Sequence, residues 1–366
     1  MKTAKLNYKL IFSTFLLSVL SVFTLSQNTQ LIDILNAEAI KLRFEDFAKS
    51  ESLSNRALNL SQSNNYVKGR GDALRNKATI NLLSSKYELA IKQYKEAIMC
   101  FQKIDEFEAL AACYSNIGVI YSRLNMYEKS MKYYKKAYAV EKDFENQIPM
   151  AQTIDNIGII YHRLNERHKA IDCFHRAAKI FYQYESYDNL AHSLIYIGAV
   201  LMDAENFSKA IELNKLAVGL AKQCGDLPAL GDAWNNLANS YYHMGNVSDA
   251  LSSIQKSLFY RDQIGDLNGM FNSLKLSAII YRDNELLDLS DQMMFNLLEI
   301  SQEVGNHLNM AVAFTEIGVN LKIRGNYEKS QLYFKEAYEI AQNIDNSELI
   351  EKVNKEIEDL NRILTN

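Results

Sequence analysis

The sequence predicts an all-α solenoid, a stack of helix pairs, and three observations point to it. Self-similar segments recur every 40 residues. Only two prolines, Pro149 and Pro228, occur in 366 residues. Scarce proline favours long helices, because proline removes a donor and clashes with the preceding turn. Small residues also recur at the points where two paired helices would cross. Hydrophobic residues make up 48% and charged residues 23%, as in ordinary soluble folded chains. The net charge is −4, so the strongly basic balance of a nucleic-acid binder is absent.

Residues 1–26 stand apart from the repeats. Lys2, Lys5 and Lys9 precede the uncharged run LIFSTFLLSVLSVFTL at 10–25. Thr24-Leu25-Ser26 then places small residues on either side of Leu25, just before Gln27. A basic stretch, an apolar stretch and a small-x-small site read as a secretory signal peptide. The alternative is an uncleaved anchor in the inner membrane, although spanning takes about 20 apolar residues. Both readings put the body of the protein outside the cytoplasm, periplasmic or secreted.

Residues 27–69 read as a degenerate first unit and N-terminal cap. Ser50 and Ala57 stand 40 before Ala90 and Ala97, but Glu38 occupies the small position. Residues 70–345 read as seven units. Their first helices carry a small residue at Ala78, Gly118, Gly158, Gly198, Ala238, Ala278 and Gly318. Three residues on stand Tyr121, Tyr161, Leu201, Tyr241, Tyr281 and Leu321, with Asn81 as the exception. The second helices carry small residues at Ala90, Ser130, Ala170, Ala210, Ala250, Ser290 and Ser330. Four further on come Tyr94, Tyr134, Phe174, Asn214, Ile254, Met294 and Phe334. Small residues let two helices approach, and large ones fill the space beside the crossing. One pair cannot bury its apolar face alone, so neighbouring pairs must stack.

The breaks are readable too. Gly225-Asp226, Gly265-Asp266 and Gly305-Asn306 pair a glycine for a left-handed helix end with a cap for the next helix. Turns near Asn125, Asn165, Asn206, Gly245-Asn246 and Gly325-Asn326 divide the paired helices. Residues 346–366 read as a capping helix. Leu349, Val353, Ile357, Leu360 and Leu364 form its apolar stripe, and Glu348, Glu351, Lys352, Lys355, Glu358 and Arg362 its solvated face.

Over residues 70–341 this pattern resembles the tetratricopeptide repeat family. It departs from the usual period of about 34, and no proline ends the second helix. The 40-residue form is similar to the long-helix repeats of kinesin light chains, Pins-type scaffolds and bacterial peptide-pheromone receptors. The resemblance implies a right-handed α–α superhelical solenoid of about seven to eight pairs with a C-terminal capping helix. It implies that the first helices line a concave face that takes a peptide or protein. Two residues before the small position stand Asn76, Asn116, Asn156 and Asn236, with Tyr196, Leu276 and Glu316 in the other units. In similar family members such an asparagine grips the backbone of an extended peptide, since it offers donor and acceptor together. Alternatively it bonds neighbouring helices within the scaffold. Other inward positions carry Arg75, Arg123, His162, Arg163, Tyr242 and Arg282. The stretch from Arg75 to Arg163 is mildly basic and suits an acidic or C-terminal peptide segment. A mixed solvated face is the plainer alternative.

No phosphate-binding, zinc-protease or serine-hydrolase motif occurs. His162, His168, Cys173 and His175 are close in sequence, but their registers point different ways, and no metal or cofactor is expected. Cys100, Cys113, Cys173 and Cys224 read as small hydrophobes, with a Cys100–Cys113 disulfide left open. The functional expectation is an exported, non-enzymatic scaffold or adaptor for a peptide or protein. The alternative is the sensor module of a bacterial signalling system, a truncated relative of repeat-containing histidine kinases or transcriptional regulators.

Overall fold

The computed structural model describes residues 27–43 and 45–365, and among these residues there are 17 helices and no strand. The predicted signal segment 1–26 lies outside the described residues. No described helix is long and apolar enough to cross a membrane. The first pair is α1 (27–42) and α2 (Phe47–Ser63). It is followed by α3 (Val67–Leu83), α4 (Tyr87–Gln102), α5 (Phe107–Arg123), α6 (Tyr127–Glu141), α7 (Ile148–Arg163) and α8 (Arg167–Gln183). Then come α9 (Tyr187–Asp203), α10 (Phe207–Cys224), α11 (Leu227–His243), α12 (Val247–Gln263), α13 (Leu267–Asp283) and α14 (Leu287–Glu303). The run ends with α15 (His307–Ile323), α16 (Tyr327–Asn343) and α17 (Ser347–Thr365). Odd-numbered helices up to α15 are the first, or A, helices of their pairs, and even-numbered ones are the B helices. The chain divides into two compact units, Met1–Arg176 and Ala177–Asn366. Within each, a helix packs on the next in the chain and each A helix also touches the following A helix, as expected of an α–α solenoid.

The helix ends explain the regular spacing. Inside the seven pairs, the A helix ends on a left-handed residue at Ser85, Asn125, Asn165, Glu205, Gly245, Glu285 and Gly325, each 40 apart. The next backbone N–H then reaches back five residues, as from Met126 to the carbonyl of Tyr121 and from Asn326 to that of Leu321. These bonds satisfy carbonyls that the helix end would otherwise orphan. Side chains of Asn206, Asp226, Asn246, Asp266, Asn306 and Asn326 cap the following helices. The period is interrupted once between pairs. The longest connector, 142–147, joins α6 to α7 and has no left-handed residue.

In unit 1 the crossing points are sterically tight. A Cβ on Gly118 would stand 2.6 Å from the Tyr134 ring, and one on Gly158 2.7 Å from the Phe174 ring. The Ser130 hydroxyl donates to the carbonyl of Gly118 at 2.8 Å, tying B to A. The same bond joins Ser50 to Ala39 at 2.7 Å. The small position of the first pair is therefore Ala39, fully buried, and not Glu38, which is exposed. A one-residue shortening between α1 and α2 hides it from a strict 40-residue register. Asn81, the exception to the large residues, is also explained. Its amide donates to Gln93 Oε1 at 2.8 Å, where the next pair stacks Tyr121 on Tyr133. One polar pair thus replaces one aromatic pair at equivalent positions. Cys100 and Cys113 are buried free thiols. Burial pushes the Cys113 thiol up to about 12.

Unit 2 repeats the arrangement. Gly318 faces the Phe334 ring, and Ser330 donates to the Gly318 carbonyl at 2.8 Å. Leu237, Ile254, Met294 and Phe334 are buried between the helices, and Leu349, Val353 and Leu360 of α17 close the end of the core. One core register is unusual. Where unit 1 has Phe101 and unit 2 has Ala221 and Ala341, α12 buries Arg261. Its guanidinium meets Asp232 at 2.7 Å and Asp266 at 2.6 Å. Gly269 leaves the space, since a Cβ there would overlap Arg261. In unit 1 the same register holds a second buried charge, Glu141 on α6.

Candidate functional site

Two residues before the small position, the A helices carry a polar side chain in each of the seven pairs but that of Leu276, and the structure treats these very differently. In unit 1, Asn76 is buried and donates its amide to the backbone carbonyl of Asn36 on α1, at 3.1 Å. Asn36 in turn donates to the carbonyl of Gly69 at 3.0 Å. Asn76 is thus occupied by the scaffold and is not open to a ligand. Asn116 on α5 and Asn156 on α7 are half-buried, and neither makes a side-chain hydrogen bond among the described residues. Each leaves a donor pair and an acceptor unused on adjoining helices.

The flanking cations follow the same division. Arg75 is paired with Asp72 at 2.9 Å and lies over the Phe101 ring, 5.7 Å from its centre. Arg123 and Arg163 are exposed at the last turns of α5 and α7, and neither enters an ion pair among the described residues. His162 is half-buried on the last turn of α7, beside Arg163. The positions expected to grip a ligand therefore converge on α5 and α7, where two carboxamides and two guanidiniums are uncommitted. His168 and His175 are exposed on α8 while Cys173 is buried, so these side chains do not face one way with His162.

In unit 2 the equivalent face is filled by its own partners. Asn236 donates over 3.4 Å to the carbonyl of Ile195 and to Asn214 Oδ1. Tyr242 donates its hydroxyl to Asp283 on the next A helix, and that bond pushes the phenol up to about 12. Glu316, standing at the asparagine position, is buried between Arg282 on α13 and Lys352 on α17. Burial opposes its ionisation, but Lys352 and Arg282 together hold its carboxyl below the usual range. Lys322 is likewise paired with Glu356. Arg282 and Tyr242 are thus structural here. The pairs Tyr242–Asp283, Arg282–Glu316, Glu316–Lys352 and Lys322–Glu356 join residues 34–41 apart in sequence, about one period.

Residues 70–143 match the family model described as Tetratricopeptide repeat. No curated protein matches the chain. Among solved structures, the chain is similar to aspartyl phosphate phosphatase F from Bacillus subtilis, at 18% identity and a TM-score of 0.60, over 79% of this chain and 75% of that one. It is similar to the apo quorum sensor NprR from B. thuringiensis, at 13% identity and a TM-score of 0.66, over 86% and 87%. It is also similar to a Rap protein complexed with competence and sporulation factor, at 13% identity and a TM-score of 0.59, over 92% and 99%. At these identities the likeness speaks for the fold. The match identifies a tetratricopeptide repeat at residues 70–143, and the helix pairs with their seven-fold small-residue register continue the same fold along the chain.

Proposed function

We propose that this protein is a non-enzymatic adaptor that holds a peptide segment of a partner protein against α5 and α7, outside the cytoplasm. The observation that carries the proposal is the uncommitted set Asn116, Asn156, Arg123 and Arg163, whereas Asn76, Arg75, Asn236, Tyr242 and Arg282 at corresponding positions are held by partners of their own. The asparagines suit the backbone of an extended segment, whatever its side chains. The arginines suit carboxylates through paired donors, so the segment is acidic or ends in its C-terminal carboxylate. The exported location rests on Lys2, Lys5, Lys9 and the uncharged run 10–25. A sensor role is the second reading. It is favoured by the likeness to a quorum sensor and to a Rap protein in complex with competence and sporulation factor.

Site-specific photo-crosslinking in cells tests the main reading. A photoreactive residue at Ser122, on the α5 face, should capture a partner, and one at Lys132, on the exposed side of α6, should not. Equal capture at both, or at Lys132 alone, would remove the case for this face. Fractionation with N-terminal sequencing tests the location, with a mature start at Gln27 in the exported fraction as the expected result.

A further inference from the structure

On the B-helix side of unit 2, α12 and α14 stand apart over α13 and leave an open groove of about 450 Å³. Met270 and Leu274 of α13 form its floor, with Phe259 of α12 and Ile300 of α14 on the banks. Phe259 is 59% exposed, a large apolar group left in water. Asp262 and Glu299 stand on the rim, exposed and in no ion pair among the described residues. The neighbouring cations of α12 are turned elsewhere. Lys256 sits over the Trp234 ring at 4.1 Å, and Arg261 is buried between Asp232 and Asp266. The acids Asp283, Asp288, Asp291 and Glu316 are held by Arg282, Arg324 and Lys352, which leaves none of those cations for the rim. The groove is therefore apolar inside, negative at its edge, and uncompensated.

We propose that this groove docks a basic amphipathic helix of a partner protein. Its bulky apolar side chains enter the trough, and its Lys or Arg side chains meet Asp262 and Glu299. A helix fits better than an extended strand because the floor and banks are aliphatic and aromatic. Beyond the rim acids, only the carboxamides of Gln255 and Asn296 can meet an unpaired backbone, too few for an extended segment, whereas a helix satisfies its own. An acidic segment would be repelled by the rim. The groove is separate from the α5–α7 face, so it adds a second contact of opposite charge preference.

The test uses the full chain and a fluorescently labelled Lys/Leu amphipathic helical peptide, with a Glu/Leu peptide as counterpart, followed by anisotropy. The Lys/Leu peptide should bind and the Glu/Leu peptide should not. Phe259→Ser alone, and Asp262→Lys with Glu299→Lys, should each weaken binding about tenfold or more. Asn116→Ala with Asn156→Ala should leave it unchanged. All these positions are exposed or half-buried, and circular dichroism checks that the helices persist. No binding overturns the proposal. So does binding that survives Phe259→Ser, which would mark general attraction to an acidic surface.

Discussion

Asn76 on α3 donates its side-chain amide to the backbone carbonyl of Asn36 on α1, a buried bond of 3.1 Å between successive A helices. Asn116, at the same repeat position one pair later, makes no such bond. The two asparagines should therefore behave oppositely on substitution. Asn76→Ala removes a buried hydrogen bond between two A helices and should cost about 1–2 kcal/mol. Asn116→Ala should change stability by no more than about 0.5 kcal/mol. Urea unfolding of the two variants checks the difference.

The helix crossings give a second expectation. A Cβ on Gly118 would stand 2.6 Å from the Tyr134 ring, and the ring has little room to retreat because it is buried. Gly118→Ala should destabilise by about 1–3 kcal/mol through overpacking. Gly219 is also inside a helix, α10, but nothing lies within 4 Å of a Cβ there. Gly219→Ala should stabilise by up to about 1 kcal/mol. Thermal unfolding of both variants should move in opposite directions.

Glu141 supplies a pH dependence. Burial raises its carboxyl from 4.5 to about 7, while a hydrogen bond with Thr153 opposes the rise. The folded state then holds a proton between these values that the unfolded state has released. Its contribution to stability is present below pH 4.5 and is lost as pH rises through 7. The loss should be on the order of 2–3 kcal/mol. Glu141→Gln should remove this slope, so urea midpoints at pH 5 and pH 8 should differ less in the variant than in the parent. A parent protein with no loss across this range would show that Glu141 is solvated.

The Arg282–Glu316–Lys352 cluster carries the opposite sign. Its carboxyl is held low, so its contribution is present above the ordinary carboxylate range and is lost as pH falls through the lowered value. Glu316→Ala leaves the largely buried Arg282 with only the more exposed Asp283 and should cost about 2–3 kcal/mol. Arg282→Ala should cost a similar amount. The double variant should cost less than the two single losses together, which a double-mutant cycle by urea unfolding measures.

The sequence carried most of the fold because the 40-residue period repeats a steric requirement, a small residue where a large B-helix side chain, a ring at Gly118, Gly158 and Gly318, presses on the A helix. It failed where pairing broke the register. Ala39 escaped notice because the first pair is one residue shorter, and Asn81 looked anomalous until Gln93 was placed beside it. The turns at Glu205 and Glu285 carry no glycine, so their left-handed conformation was not legible. The face of the site was legible as a register position. Which of its members were committed was not, because Asn76, Tyr242 and Arg282 find their partners about one period away, on a neighbouring helix. A search for opposite charges 34–36 residues apart would have found Arg282–Glu316, Lys322–Glu356 and Glu316–Lys352.

The most direct measurement starts from a peptide selected on the full chain from a displayed random library. Its affinity is then compared between the parent protein and the Asn116→Ala, Asn156→Ala double variant by titration calorimetry. Loss of two backbone-gripping carboxamides should weaken binding about tenfold or more, with the helical fold unchanged. The same change in Asn76 should leave affinity within about twofold. Equal affinity in the parent and the double variant would contradict the claim that α5 and α7 form the binding face.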